Sequence, residues 1–317
     1  MGSFFFTTTT KGHVTTNITT TTLPRPELAS VVTLAPSPPV YSTPRPGMAL
    51  FCRRLPSVPP LQLSPLRLLR RPAPNTRHNY VFAHGASGFA KNPNKGPTLT
   101  PEEDRAYFSV QVGEDSYFRR HDALGVADGV GGWSGTTGAN PALYSRKLMH
   151  YAFVELEKYD NIEEDAFYDY FNVNPVQILQ KSYEQSARDA KKEGLIGSST
   201  ACLAILRDDE LRIANLGDCG VFTVKVESGD IVVMGTDGIF DNLFDEDILE
   251  EVIPEPSVIS DALAKRAKNV AEDTRHHGSP FQSRAMQEGL YYQGGKQDDM
   301  SVLVAIIKVA EDSPDRR

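Results

Sequence analysis

Acidic residues recur at five points of the sequence where short apolar runs end. Each group stands in a turn-forming context, most often beside glycine, where a strand would stop. The five groups are Glu114-Asp115, Asp128-Gly129, Asp218, Asp237-Gly238 with Asp241, and Asp298-Asp299. A single turn of this kind is most simply structural. Five in one domain would repel one another if the strand ends converge, unless cations neutralise them.

The donor atoms of these groups indicate which cation they would bind. No cluster of His or Cys accompanies them, which disfavours soft metals, whereas oxygen ligands select Mg²⁺ or Mn²⁺. Mg²⁺ binds few protein carboxylates and keeps several waters, one of which can act as a nucleophile. Two such ions about 4 Å apart would form a clamp for in-line attack on a phosphate ester. The acids therefore predict metal-dependent phosphoester hydrolysis.

Short strands and two long helices are the elements that must position these acids. Asn140-Pro141 and Asn174-Pro175 each predict a helix start, because Asn is a good N-cap and Pro suits the first turn. Strands are predicted at residues 107–112, 124–127, 199–206, 210–216, 222–226, 231–234 and 300–307, and further helices at 245 onward and 258–272. Because strands and helices come in blocks with short turns, the pattern predicts α+β layers rather than an alternating parallel fold.

Charge divides the chain into two parts. The net charge is −8 over 317 residues, yet residues 1–90 contain nine Lys or Arg and one acid, Glu27. Residues 101–317 contain 22 basic and 40 acidic side chains. An acidic body argues against nucleic acid as a partner, because phosphate binding needs a positive surface. No run of 18 apolar residues predicts a membrane span, and the three cysteines form no disulfide or zinc pattern.

The first 77 residues are interpreted as an extension to the folded domain. They are rich in Thr, Ser and Pro and show no helical or strand period. From Met48 onward the segment is rich in Arg and Leu and free of acids, which is typical of an organelle transit peptide. We expect targeting to the mitochondrion, with the plastid as second choice and a basic tail as the alternative. The expected division is a disordered extension over 1–77, with Met48 a candidate second start, and a domain over 78–312.

Six motifs follow one another in the order found in a known family. They are Gly113-Glu-Asp, Ala127-Asp-Gly-Val-Gly-Gly-Trp, Gly197-Ser-Ser-Thr-Ala, Asn215-Leu-Gly-Asp, Thr236-Asp-Gly-Ile-Phe-Asp-Asn and Asp298-Asp-Met-Ser-Val. Over about residues 80–308 the chain resembles the metal-dependent type 2C serine/threonine protein phosphatases (the PPM family). It resembles most the mitochondrial branch of fungi and animals and its plastid relatives. The resemblance implies a β-sandwich of two antiparallel sheets flanked by helices, in four αββα layers, with the metal site at one end.

The resemblance also implies the catalytic ligands. Asp115, Asp128, Asp237 and Asp298 match the family's metal-binding carboxylates. Two Mg²⁺ or Mn²⁺ ions would share a bridging water and lower its pKa, so that hydroxide attacks the phosphorus of phosphoserine or phosphothreonine. Phosphorylated proteins are the implied substrates. We expect a monomer.

Other residues of the motifs match supporting positions of the family's site. Gly129 matches a ligating backbone carbonyl, and Glu114 matches a ligand that acts through water. Asp218 and Asp241 match acids tied to a third, weaker metal site in some members. Asp299 stands where the family often has Asn, so which residue of the adjacent acidic pair binds metal is left open.

The sequence departs from the family pattern at three places. Val130 replaces a His that serves many members as a candidate general acid, and Val110 replaces an Arg that holds the phosphate; both losses are usual in this branch. Asp218 and Asp237 are only 19 positions apart, where the family has several dozen more residues. Lost strands would expose edges and apolar faces. An active phosphatase, a weak or inactive member that acts by binding, and a small-molecule phosphatase all remain open.

Overall fold

The computed structural model describes residues 79–92, 99–133, 135–217, 220–252, 255–273 and 278–310, together with three short strands nearer the N-terminus. The strands are β1 Thr9–Thr10, β2 His13–Val14, β3 Ala49–Arg54, β4 Tyr80–Phe89, β5 Val110–Val112, β6 Asp115–Arg119, β7 Ala123–Asp128, β8 Ala201–Arg207, β9 Glu210–Leu216, β10 Gly220–Lys225, β11 Asp230–Gly235 and β12 Met300–Val309. The α-helices are α1 Pro101–Arg105, α2 Pro141–Glu157, α3 Pro175–Glu193, α4 Asp237–Phe240, α5 Asp245–Glu251, α6 Pro256–Glu272 and α7 Pro280–Gln287; 3₁₀ turns cover Gly131–Trp133 and Asp165–Asn172.

Two antiparallel sheets form the body of the domain. The first has six strands in the order β10-β9-β8-β7-β6-β5, so each strand pairs with its neighbour along the chain. The second has four strands in the order β3-β11-β12-β4. All of the pairings in both sheets are antiparallel. The α+β class predicted from the sequence is confirmed.

Three apolar clusters show how the layers pack. One lies between the two sheets, where Leu124 and Val126 of β7 meet Met234 of β11 and Leu303 of β12. A second packs the outer face of the four-stranded sheet against α6, and a third packs the outer face of the six-stranded sheet against α2 and α3. Alternate residues of a strand point to opposite faces, so each central strand serves two clusters. The result is the expected four-layer αββα sandwich.

The two long helices begin where their local signals predict. The Asn140 side chain accepts a hydrogen bond from Leu143 N at the start of α2, and Asn174 accepts one from Val176 N at the start of α3. Proline occupies the first turn of both helices. Gly194 ends α3 in the left-handed conformation, with φ of 66°, which glycine adopts without steric cost. No helix among the described residues is long and apolar enough to cross a membrane.

The short connection after Asp218 preserves both sheets. Strand β10 pairs with β9 over six residues and forms one edge of the first sheet. The chain then turns at Gly229, whose φ is 93°, and enters β11 in the second sheet. Residues 218–219 themselves lie outside the described part of the chain. In spite of the short spacing, β11 is paired on both sides, with β3 and with β12.

Three strands fall inside the segment predicted to be a disordered extension, and β3 is the longest of them. Strand β3 pairs with β11 from Ala49↔Gly235 to Arg54↔Asp230. An unpaired β11 would present a row of backbone N–H and C=O groups at the sheet edge, and β3 satisfies them. The rest of residues 1–77, including the transit-peptide prediction from residue 55 onward, lies outside the described residues, apart from the two-residue strands β1 and β2.

Replacing Ala49–Arg54 with six Gly and Ser residues should destabilise the domain. The replacement keeps the chain length but removes the residues that pair with β11, so the edge of the sheet opens. We expect the Tm to fall by about 5 °C and light scattering to reveal aggregation. A variant with the wild-type Tm would show that β3 contributes nothing to the fold.

Candidate active site

Four strand ends bring acidic side chains to one end of the sandwich. Asp115 begins β6 and Asp128 ends β7, and the two are directly opposite each other in the sheet register. Directly opposed residues have Cβ atoms about 5 Å apart, so these carboxylates are close neighbours. Asp237 follows β11, and Asp298 precedes β12, which is the neighbouring strand. The topology therefore places the four acids at strand ends, one neighbouring pair in each sheet, as the sequence predicted for their position on strands.

Asp115 is held in place from the second sheet. The Thr236 hydroxyl donates a hydrogen bond to Asp115 Oδ2 at 2.8 Å, and Ser301 N donates to the same hydroxyl at 3.0 Å. Asp115 is 1% exposed, and its other oxygen, Oδ1, is buried and has no hydrogen-bond partner among the described residues. A buried carboxylate oxygen with no donor is costly to leave unpaired. Its environment suits a cation ligand.

Asp298 and Asp299 have different surroundings. Asp299 is 8% exposed, and its two oxygens accept hydrogen bonds from Lys91 N at 2.7 Å and Glu114 N at 2.8 Å. Asp298 is more exposed, and its Oδ2 lies 2.9 Å from the Lys296 ammonium. Asp299 therefore ties together the loops that precede β6 and follow β4, whereas Asp298 is the member of the pair available to bind a cation.

Glu114 and Gly129 belong to the scaffold beneath the site. The Glu114 carbonyl accepts hydrogen bonds from Gly129 N at 3.0 Å and from the Ser145 hydroxyl at 2.7 Å. A Cβ on Gly129 would approach Pro141 O to 2.5 Å, so only glycine fits between β6 and the start of α2. Asp218 lies outside the described residues, and its predicted role stays a prediction.

Sequence reasoning missed Lys296, which lies among the acids. Its ammonium contacts Asp237 Oδ2 at 2.7 Å, Asp241 Oδ2 at 2.8 Å and Asp298 Oδ2 at 2.9 Å. Asp241 is fully buried and also pairs with Arg284 of α7. The sequence feature that could have indicated Lys296 is its position two residues before the acidic pair, directly after two glycines.

Crowding and burial raise the pKa of several acids. Burial raises the pKa of Asp128 to about 8, with repulsion from Asp237 and Asp298 adding to the effect. Burial, together with repulsion from Asp128, holds the pKa of Asp115 well above its ordinary value. Burial raises the pKa of Asp241 to about 6, although the charge of Lys296 opposes this shift. These shifts mark a cluster with more negative charge than its neighbouring cations compensate.

The carboxylate oxygens suit a hard divalent cation, although Lys296 contacts several of them. Carboxylate oxygens are the ligands that Mg²⁺ and Mn²⁺ prefer, and the unpartnered Asp115 Oδ1 is one of them. No group of three acid, His or Cys side chains within the described ranges is arranged to hold a metal as it stands. Lys296 contacts the oxygens that such an ion would need.

The solved structures show which class of protein has this architecture. The photosystem II phosphatase PBCP superimposes with a TM-score of 0.55 and 24% identity, over 72% of this chain and all of that one. The sandwich is therefore the phosphatase 2C fold. No protein-family model matches the chain.

Curated relatives identify the family. The protein phosphatase PTC7 homolog of Xenopus laevis is 30% identical over 72% of this chain and 90% of its own length. Probable protein phosphatase 2C 80 of Arabidopsis thaliana is 32% identical over 62% of this chain. The chain spans about half (54%) of the length of that Arabidopsis relative. This chain belongs to the protein phosphatase 2C family, as the six motifs indicated.

Proposed function

We propose that the protein is a metal-dependent protein serine/threonine phosphatase. The observation that carries the proposal is the convergence of Asp115, Asp128, Asp237 and Asp298 at four strand ends of a phosphatase 2C fold. Membership of a family whose relatives are named protein phosphatases supports the same activity. Phosphoserine and phosphothreonine in proteins are the proposed substrates, and a monomer is the proposed form.

The chain's own residues prepare this site for phosphoester hydrolysis. Bound Mg²⁺ or Mn²⁺ would supply positive charge toward the phosphate and lower the pKa of water. Asp115, Asp128, Asp237 and Asp298 would hold the ions, with the Gly129 carbonyl and Glu114 in support. Thr236 fixes the Asp115 carboxylate through a hydrogen bond from the second sheet. The ligands are therefore held by both sheets, which keeps their spacing fixed during the reaction.

Two departures from the family pattern, Val110 and Val130, are compatible with the proposed activity. Val110 lies on β5 and Val130 follows β7, and neither side chain can donate a hydrogen bond or a proton. The phosphate would then be held by other positive groups, which are the proposed metal ions and Lys296. Both sheets persist on either side of the short connection after Asp218, which favours an active phosphatase over the alternative of an inactive binding protein.

A mitochondrial location and mitochondrial phosphoprotein substrates are part of the proposal. The support is the acid-free, Arg- and Leu-rich composition after Met48 and the similarity to PTC7 homologs. The plastid is the second choice, and a plant relative is among the matches. Imaging of a fluorescent fusion of the full chain would distinguish these locations, and a variant that begins at Met48 would show whether the segment after Met48 is sufficient for targeting.

The proposed activity predicts hydrolysis of a phosphoserine peptide that requires Mn²⁺. Asp128→Ala should lower kcat by about 10³-fold, because it removes a carboxylate from the centre of the acid cluster. The measurement is phosphate release by the full chain, with and without excess chelator. Asp261→Ala serves as the matched control, since Asp261 pairs with Lys265 on the exposed side of α6. Activity that survives in chelator, or in Asp128→Ala, would refute the metal mechanism.

A further inference from the structure

Lys296 places its ammonium where three of the clustered carboxylates meet. The distances from Nζ to Asp237, Asp241 and Asp298 are 2.7, 2.8 and 2.9 Å. The ammonium donates hydrogen bonds to Asp237 and Asp241 and forms an ion pair with Asp298. Two of these carboxylates, Asp237 and Asp298, are proposed metal ligands. The Lys296 ammonium therefore contacts carboxylate oxygens that a metal ion would also bind.

The backbone of Lys296 is fixed in a way that aims the side chain at this point. Asn242 Oδ1 accepts a hydrogen bond from Lys296 N at 2.9 Å, and Asn242 Nδ2 donates to Lys296 O at 2.9 Å. Asn242 Nδ2 also donates to Gly238 O at 2.8 Å, and Asn242 is 1% exposed. The amide thus ties Lys296 to the turn that carries Asp237 and Asp241. The position of Lys296 beside these acids is therefore fixed by backbone hydrogen bonds to a buried side chain.

We propose that Lys296 is the resident counter-cation of the protein before metal binds, and that a divalent ion has to displace its ammonium from Asp237 and Asp298. This inference rests on the proposed metal site. An ammonium and a divalent ion repel each other and compete for the same carboxylate oxygens. This competition gives Lys296 two effects, stability without metal and weaker affinity for metal.

The side chain is suited to such an exchange. Lysine carries its charge on a flexible four-carbon stem, so the ammonium can leave without movement of the backbone. The side chain keeps 21% exposure, which leaves a route to solvent. Arg284 pairs with Asp241 from the other side, so that carboxylate retains a positive partner after Lys296 withdraws. Displacement therefore gives the metal access to the Asp237 and Asp298 oxygens that Lys296 contacts, and it leaves Asp241 paired with Arg284.

Lys296→Met tests both effects in the full-length protein. Methionine keeps most of the apolar stem and removes the charge, so the carboxylates lose their shared partner. In excess chelator we expect the Tm of Lys296→Met to be lower than that of the wild type by about 5 °C or more. In calorimetric titration with Mn²⁺ we expect the Kd of the variant to be about tenfold lower than that of the wild type. The stabilisation produced by Mn²⁺ should increase accordingly.

Two further variants separate charge from packing. Lys296→Arg retains the positive charge and should keep both the Tm in chelator and the Mn²⁺ affinity close to wild-type values. Lys265→Met removes an exposed lysine that pairs with Asp261 at 2.6 Å, and it should change neither quantity. Equal or weaker Mn²⁺ binding by Lys296→Met would overturn the exchange and leave the metal site standing. Mn²⁺ binding by neither the wild type nor the variant would overturn the proposed metal site together with this inference.

Discussion

Asp298→Ala is expected to abolish most of the phosphatase activity while it leaves the fold intact, whereas Asp299→Ala is expected to destabilise the fold. Asp298 contacts the Lys296 ammonium, and its charge repels Asp128, so its removal relieves repulsion and deletes a proposed metal ligand. We expect kcat to fall by about 10²–10³-fold, with a change of less than about 1 kcal/mol in the free energy of unfolding. Phosphate release and urea denaturation in chelator measure the two quantities.

Asp299→Ala removes two hydrogen bonds that join distant loops. Its carboxylate accepts from Lys91 N and Glu114 N while it is 8% exposed. Hydrogen bonds to a charged group contribute about 1.5–3 kcal/mol each, so the loss of two is expected to lower the free energy of unfolding by about 3–6 kcal/mol. Asp299→Asn keeps the shape and one acceptor oxygen, and it should recover part of this loss. Strong destabilisation by Asp298→Ala with a stable, inactive Asp299→Ala would show that the roles are exchanged.

Sequence patterns predicted the elements whose signals are local. The starts of α2 and α3 follow from Asn followed by Pro, because the cap and the proline act within one turn. The same kind of signal, Ser279-Pro280, begins α7 and could have predicted it, since Gln282 N donates to the Ser279 hydroxyl. Strand β4 has no such signal. Its sequence contains two glycines and no clear alternation, and its ten residues are extended because each pairs with β12.

The site divides in the same way between local and distant causes. The acidic turns could be predicted because each marks the end of a strand, and strand ends in a sandwich converge. Adjacent Asp298 and Asp299 could not be distinguished, because their roles depend on N–H groups of residues about 200 positions away. Lys296 was missed for a related reason. Its partners come from two segments separated by more than 50 residues, and no spacing rule links a lysine to them.

A second large effect is expected far from the acids, at Asp122 between β6 and β7. Asp122 is 1% exposed and lies between two buried arginines, with Arg120 Nε at 2.9 Å and Arg207 Nη1 at 2.8 Å. Arg207 also stacks over the ring of Tyr170 at 4.0 Å. Breaking a buried pair leaves an uncompensated charge, which costs about 3–5 kcal/mol. We expect Asp122→Ala to lose this amount in urea denaturation, whereas exposed Asp261→Ala should lose less than about 1 kcal/mol.

The acid sensitivity of the fold should change in the same variant. Burial opposes ionisation of Asp122, but the charges of Arg207 and Arg120 outweigh it and hold the pKa below the ordinary value of 3.8. A carboxylate whose pKa is lower in the folded state contributes stability that is complete above the unfolded pKa, and this stability is lost as the pH falls through the folded pKa. The wild type should therefore lose stability from Asp122 below about pH 4, and Asp122→Ala should lack this component. Denaturation curves between pH 7 and pH 3 measure the difference. Parallel losses in both proteins would show that the two arginines do not hold an ionised Asp122, and that the cost of the mutation comes from packing.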